Sequence, residues 1–172
     1  MTAHPPARPE PPRPDRALLA ILALALVLRL VYGLAQDHAA VFTAGNDAAW
    51  YLMNSHWLLT GQLVGPLSTA PLFHLFAGFW EVLLGPDANA VAAIRVSQAV
   101  LGALTCYFAY RLAWAVSEDR RAARLAALLL AVGPVFVMEA AQVLTETLYL
   151  FCVMLALWLT GDFAARPDAP RA

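Results

Sequence analysis

The chain has 172 residues, 61% of them hydrophobic and 13% charged, with a mean hydropathy of +0.63 and a formal net charge of -1. A soluble domain of this size is about half apolar and a quarter charged, so the composition excludes an ordinary soluble domain and points to an integral membrane protein. Membrane lipids are the expected surroundings, and no nucleic-acid partner is expected. Cys106 and Cys152 both lie inside apolar runs and read as buried free thiols, not as a disulfide or a metal site.

Residues 1–16 hold six of the 12 prolines with Arg8, Arg13 and Arg16 and almost nothing to bury, the composition of a disordered basic tail. Residues 17–35 form the first long apolar run, broken only by Arg29. As a helix this run reaches roughly 28 Å, enough to cross a bilayer core. Gly33-Leu34-Ala35 offers a small-residue cleavage pattern, but Arg29 inside the segment favours a retained span over a cleaved leader.

Residues 36–90 form the first outer loop. Within it, 47–60 reads as a helix that Asn46 can cap and Gly61 ends. Trp50, Met53 and Trp57 fall on one face at interfacial spacing, and Asp47, Tyr51 and Asn54 share another. The apolar run 71–84 has only about 14 residues, too short for a span, and reads as a second interfacial or re-entrant helix ending at Gly85-Pro86. Spans follow at 91–116, 122–138 and 144–160, with Arg95, Ser97 and Gln98 near the outer end of the first. A charged loop, 117–121, separates the first two, and Gly133-Pro134 with Glu139 stops the second. Residues 162–172 form another tail. The predicted fold is an all-α polytopic membrane helix bundle occupying 17–161, with about four transmembrane helices and two interfacial helices in the first outer loop.

All 11 basic residues are arginine. With four spans, Arg8, Arg13, Arg16, Arg111, Arg120, Arg121, Arg124, Arg166 and Arg171 fall on one side. The stretch between Arg29 and Arg95 holds no basic residue but carries Asp37, Asp47, Glu81 and Asp87. The positive-inside rule then places both termini in the cytoplasm and the Asp47 loop outside. Counting 71–84 as a further span would strand Arg120 and Arg121 outside.

The outer face therefore presents Asp47, Glu139 and Glu146, with Arg29 and Arg95 near the same boundary. Carboxylates there are expensive to retain unless solvated, paired or used. A base that deprotonates an acceptor hydroxyl suits such a half-buried cleft, and an arginine fork suits a phosphate leaving group. Plainer readings stand beside these: Asp47 complementing a helix dipole, Glu146 capping its span, Arg29 snorkelling or forming a structural ion pair. His38, His56 and His74 share no metal-ligand spacing, and no Walker loop, dinucleotide fingerprint, nucleophile elbow or zinc motif is present.

Several stretches in order resemble the N-terminal portion of GT-C-type glycosyltransferases, the polytopic enzymes of the protein O-mannosyltransferase and lipid A aminoarabinose transferase group. They are Arg29-Leu30, Asn46-Asp47-Ala48-Ala49-Trp50-Tyr51, Leu58-Leu59-Thr60-Gly61, Ala70-Pro71-Leu72, Arg95, Leu128 to Pro134, and Leu144-Thr145-Glu146-Thr147-Leu148. The resemblance spans residues 17 to about 160. It implies a bacterial inner-membrane enzyme that takes a sugar from a polyprenyl-phosphate carrier and transfers it on the outer side. It implies that Asp47 is the catalytic base and that Glu146 supports it. Arg29, Arg95, Tyr51 and Glu139 would then bind substrate. The lipid-linked sugar is the donor; a divalent metal is allowed, though Ala48 stands where several relatives carry a second acid. Family members continue through further spans, so missing C-terminal spans or a partner subunit are expected. The competing expectation is a non-catalytic four-span subunit or transporter piece, whose outer acids pair with Arg29 and Arg95.

Overall fold

The computed structural model describes residues 14–43, 47–62 and 70–164. Asn46, the expected cap of the first interfacial helix, lies outside the described residues, as do Arg8, Arg13, Arg166 and Arg171. The described chain forms helices α1 (Arg16–Leu34), α2 (Ala40–Thr43), α3 (Asp47–Leu59), α4 (Pro71–Leu84), α5 (Ala88–Ser117), α6 (Arg120–Val132), α7 (Pro134–Glu139) and α8 (Glu146–Ala164). There is no strand among the described residues, and the all-α membrane bundle read from the sequence is the fold observed.

Local chemistry fixes most helix ends. Asp15 caps α1 by accepting from the Leu18 N–H at 2.9 Å. Asp87 does the same for α5 through the Asn89 N–H at 2.7 Å, and Asp119 for α6 through the Arg121 N–H at 2.8 Å. Pro71 opens α4 at a position whose N–H would be unused, and Gly85 at φ 89° closes it. Gly61, at φ 77°, closes α3, while the Gln62 N–H reaches back to the Trp57 carbonyl at 2.9 Å. The Asp87 cap starts α5 three residues before the expected start of the span at residue 91. At 30 residues α5 is about 45 Å long and overruns a bilayer core at its ends.

Three helices are individually long and apolar enough to cross a membrane: Arg16–Leu34, Ala88–Ser117 and Glu146–Phe163. The expected span 122–138 is not one straight helix. Pro134 carries no N–H and keeps Gly133 out of the helical region (φ -60°, ψ 120°), so the segment divides into α6 and α7.

Helix α5 is the central post, packed against α1, α4, α6 and α8, and α6 also packs against α1. The helices α3 and α4 form a hairpin that reaches α5 through α4. Apolar layers stack along α5. Leu18, Tyr110, Ala123 and Ala127 form one end, Ala25, Cys106 and Ala131 the middle. Val41, Ala48, Leu52, Phe73, Ala77, Val91, Ile94 and Val143 form the other end. Many large apolar side chains stay exposed on the outer surfaces of α1, α4 and α8, as expected where lipid is the solvent.

Candidate functional site at the outer end of the bundle

The last of these layers gathers the residues of interest. Ala48 and Leu52 of α3 pack in one cluster with Val143 of the α7–α8 loop, and Tyr51, Leu144 and Leu148 pack against it. That cluster brings the start of α3, where Asp47 is the first residue, to the same end as the loop running into Glu146. Both acids are exposed. Asp47 has no hydrogen bond or ion pair with another described residue, and Glu146 accepts only from the Thr145 hydroxyl, at 3.4 Å. Glu139 ends α7 half-buried, its Oε2 enclosed and without a hydrogen-bond partner. A carboxylate at a helix C-terminus opposes the helix dipole, so nothing local explains its retention.

Tyr51 is held in an aromatic group, edge-on to Trp50 at 5.5 Å and to Phe73 at 5.4 Å. Its carbonyl accepts from Ser55 Oγ at 2.6 Å, and Ser55 Oγ lies 3.2 Å from His74 Nδ1. Buried Ser55 and His74 thus pin α3 to α4, with Gly78 permitting the close crossing: a Cβ there would meet the Ser55 carbonyl at 2.8 Å.

The two arginines are buried but occupied differently. Arg95, 6% exposed, donates from Nε to the Ala141 carbonyl at 2.8 Å and from NH1 to the Gln36 carbonyl at 3.4 Å. NH1 also contacts His38 Nδ1, and NH2 carries no hydrogen bond. One turn on, Gln98 donates from Nε2 to the Leu144 carbonyl at 2.9 Å, while its Oε1 stays buried and unpaired. Together Arg95 and Gln98 hold the irregular loop between Glu139 and Glu146 by its backbone. Arg29, 2% exposed, gives NH1 to the carbonyls of Ala25 (3.0 Å) and Ala131 (3.1 Å) and NH2 to that of Leu130 (2.8 Å). Tyr51 thus packs against this layer, Asp47 and Arg95 each adjoin one of its residues along the chain, Glu146 lies between Leu144 and Leu148, and Arg29 sits within α1 beside the middle layer's Ala25 and Ala131.

Two features escaped the sequence reading. Gln98 was only a polar residue near a span end. The other is a cleft of about 490 Å³ lined by Phe42, Trp50, Met53, His56, Trp57 and Glu81 among others. Glu81 is 2% exposed, its Oε2 has no partner, and burial pushes its carboxyl up to about 7. His56 Nδ1 is likewise buried and unpaired. The spacing Phe73, Ala77, Glu81 along the buried face of α4 was the available signal. Among the described residues no group of three or more His, Cys, Asp or Glu comes together in a way that could hold a metal ion.

A family model described as dolichyl-phosphate-mannose-protein mannosyltransferase matches residues 68–170. The matched region contains Glu81, Arg95, Gln98, Glu139 and Glu146 and begins after Arg29, Asp47 and Tyr51. No curated protein matches the chain, and no solved structure does. With more than half its length matched and its apolar helices packed as a membrane bundle, the chain belongs to the dolichyl-phosphate-mannose-protein mannosyltransferase family, and is an integral membrane glycosyltransferase of the GT-C kind.

Proposed function

We propose that this chain takes part in transferring a sugar from a polyprenyl-phosphate carrier to a hydroxyl acceptor on the outer side of a bacterial inner membrane, with both termini cytoplasmic. Arginine placement and one contact support the orientation. The Asp15–Arg124 ion pair ties the start of α1 to the start of α6, gathering Arg16, Arg120, Arg121 and Arg124 at one end. No arginine lies between 30 and 94, in the segment that carries Asp47.

In this reading Asp47 accepts the acceptor's proton as the hydroxyl oxygen bonds to the sugar's anomeric carbon. The bond from that carbon to the phosphate oxygen breaks, and the carrier phosphate leaves with the electron pair. Arg95, with NH2 uncommitted, is the cation that faces the phosphate. Glu146 orients the acceptor beside Asp47, and Tyr51 and Glu139 line the approach. Arg29 is set aside as a phosphate ligand because its terminal nitrogens already serve three carbonyls.

One observation carries this reading. Among the described residues the outer acids Asp47, Glu139 and Glu146 form no ion pair, and the buried arginines bind backbone carbonyls instead. A subunit whose acids serve structural pairing would show the reverse. The test is transfer from a radiolabelled polyprenyl-phosphate sugar in membranes carrying wild-type or Asp47→Asn protein. The substitution should reduce turnover at least about 10²-fold with thermal unfolding unchanged. Normal turnover by the variant removes Asp47 as the base.

A further inference from the structure

The break between α6 and α7 leaves backbone groups to account for. In a continuous helix the carbonyl of Leu130 would accept from residue 134 and that of Ala131 from residue 135. Position 134 is proline and has no N–H to give. The turned backbone at Gly133 also withdraws the next N–H. The last bond of α6 is the Gly133 N–H to the Leu129 carbonyl at 2.9 Å. The first bond across the break is the Val137 N–H to the Gly133 carbonyl at 3.2 Å. In a membrane, carbonyls freed in this way find no water and must be satisfied by protein.

The guanidinium of Arg29 donates to those same two carbonyls, Leu130 at 2.8 Å and Ala131 at 3.1 Å. Its planar fork of fixed N–H directions suits two adjacent backbone acceptors better than an ammonium would. The neighbouring helix is shaped for it. A Cβ on Gly102 of α5 would stand 2.5 Å from Arg29 Nε and 2.8 Å from its Cδ. Only glycine lets the side chain pass across α5 to α6. Arg29 has no carboxylate partner among the described residues, so its charge is neutralised by carbonyl dipoles alone.

We infer that Arg29 is a positioning residue whose task is to satisfy the backbone freed by Pro134, and that it thereby fixes where α7 and Glu139 leave the bundle. Arg29, Gly102 and Pro134 form one device: the proline breaks the helix, the arginine caps the break, and the glycine admits the arginine. The inference rests on backbone chemistry and stands apart from the sugar donor proposed above.

A double-mutant cycle on the full chain in lipid nanodiscs tests it, with the thermal unfolding midpoint measured for Arg29→Met, Pro134→Ala and the pair. Arg29→Met alone should lower the midpoint by roughly 5–10 °C, since two buried carbonyls lose their donors. In the Pro134→Ala background, where residues 134 and 135 can donate, the same change should cost less than half as much. Equal costs in both backgrounds overturn the inference. If Arg29→Met cannot be purified, recovery of a folded Arg29→Met/Pro134→Ala protein supports it, and failure of both overturns it. Binding of a short-chain polyprenyl phosphate to the double variant separates this role from phosphate capture. Retained binding is expected. Loss of binding by a stable double variant places the guanidinium on the phosphate and also overturns the inference.

Discussion

Glu81 gives the sharpest quantitative expectation, because it lies in the short helix α4 outside the three long spanning helices and has no partner to share its charge. Its ordinary value is 4.5, and burial pushes it to about 7 in the fold. Below pH 4.5 both folded and unfolded chains hold the proton, and the group is neutral to stability. As pH rises through the interval, the unfolded chain ionises first while the buried carboxyl stays protonated, so the unfolded state gains and stability falls. Above about 7 both forms are ionised and the penalty is constant. The interval corresponds to about 3 kcal/mol, or about 10 °C in midpoint for a chain of this size. Thermal unfolding in nanodiscs between pH 4.5 and 8 should therefore show wild type losing stability as pH rises. Glu81→Gln, which mimics the protonated form, should lose about 10 °C less over that range. Comparing the two profiles cancels titrations common to both. Parallel profiles would refute the reasoning and mean that Glu81 is solvated or paired in the membrane-bound protein.

Two further outcomes follow from packing and capping. Gly102→Ala should cost about 1–3 kcal/mol, because the new Cβ collides with an Arg29 stem that cannot move without releasing its carbonyls. Gly33→Ala, whose Cβ would meet Ala141 and Arg95 atoms at an ordinary 3.7–3.8 Å, should be within about 0.5 kcal/mol of wild type; thermal unfolding of the pair decides. At the opposite end, the Leu18 N–H bond and then the Arg124 guanidinium hold the Asp15 carboxyl below its usual range. Its contribution is present at neutral pH and lost as pH falls through that lowered value. Asp15→Ala should lower the midpoint more than Asp15→Asn, which keeps an oxygen for the cap.

Much of this architecture was legible because helix ends are written locally. Pro71 and Gly85 bound α4 where the sequence placed them, and Gly61 closes α3. The short run 71–84 is a helix among the described residues, as its composition requires. The start of α5 was read too late because the cap at Asp87 lies before the apolar stretch that marks the span. The partners of Arg29 were beyond reach. Its acceptors lie 101 and 102 residues away, and nothing in the spacing of an arginine and a proline says that they meet. Sequence reasoning weighed a carboxylate or a phosphate for that guanidinium. The carbonyls of a broken helix become acceptors only through the break itself, so the sequence around Arg29 does not announce them. Gln98 was opaque for the same reason, since its partner is the Leu144 carbonyl in a loop without helical bonds.

These long-range contacts share one logic that bears on the candidate site. From residue 130 to residue 144 the chain passes through a helix break, one short helix and an irregular loop, all within or beside the bundle. Three buried side chains donate to carbonyls along it: Arg29 to Leu130 and Ala131, Arg95 to Ala141, and Gln98 to Leu144. Regular helix would have satisfied those carbonyls with no buried guanidinium at all, and burying one is costly. A fold that accepts this cost gains a non-helical segment held in a fixed course between Glu139, which ends α7, and Glu146, which opens α8. Arg29 gives both terminal nitrogens to backbone and Arg95 its Nε and NH1, while Asp47, Glu139 and Glu146 form no ion pair among the described residues. A carboxylate without an ion-pair partner is free to meet an incoming hydroxyl, and that freedom is one requirement of the general-base role proposed above for Asp47.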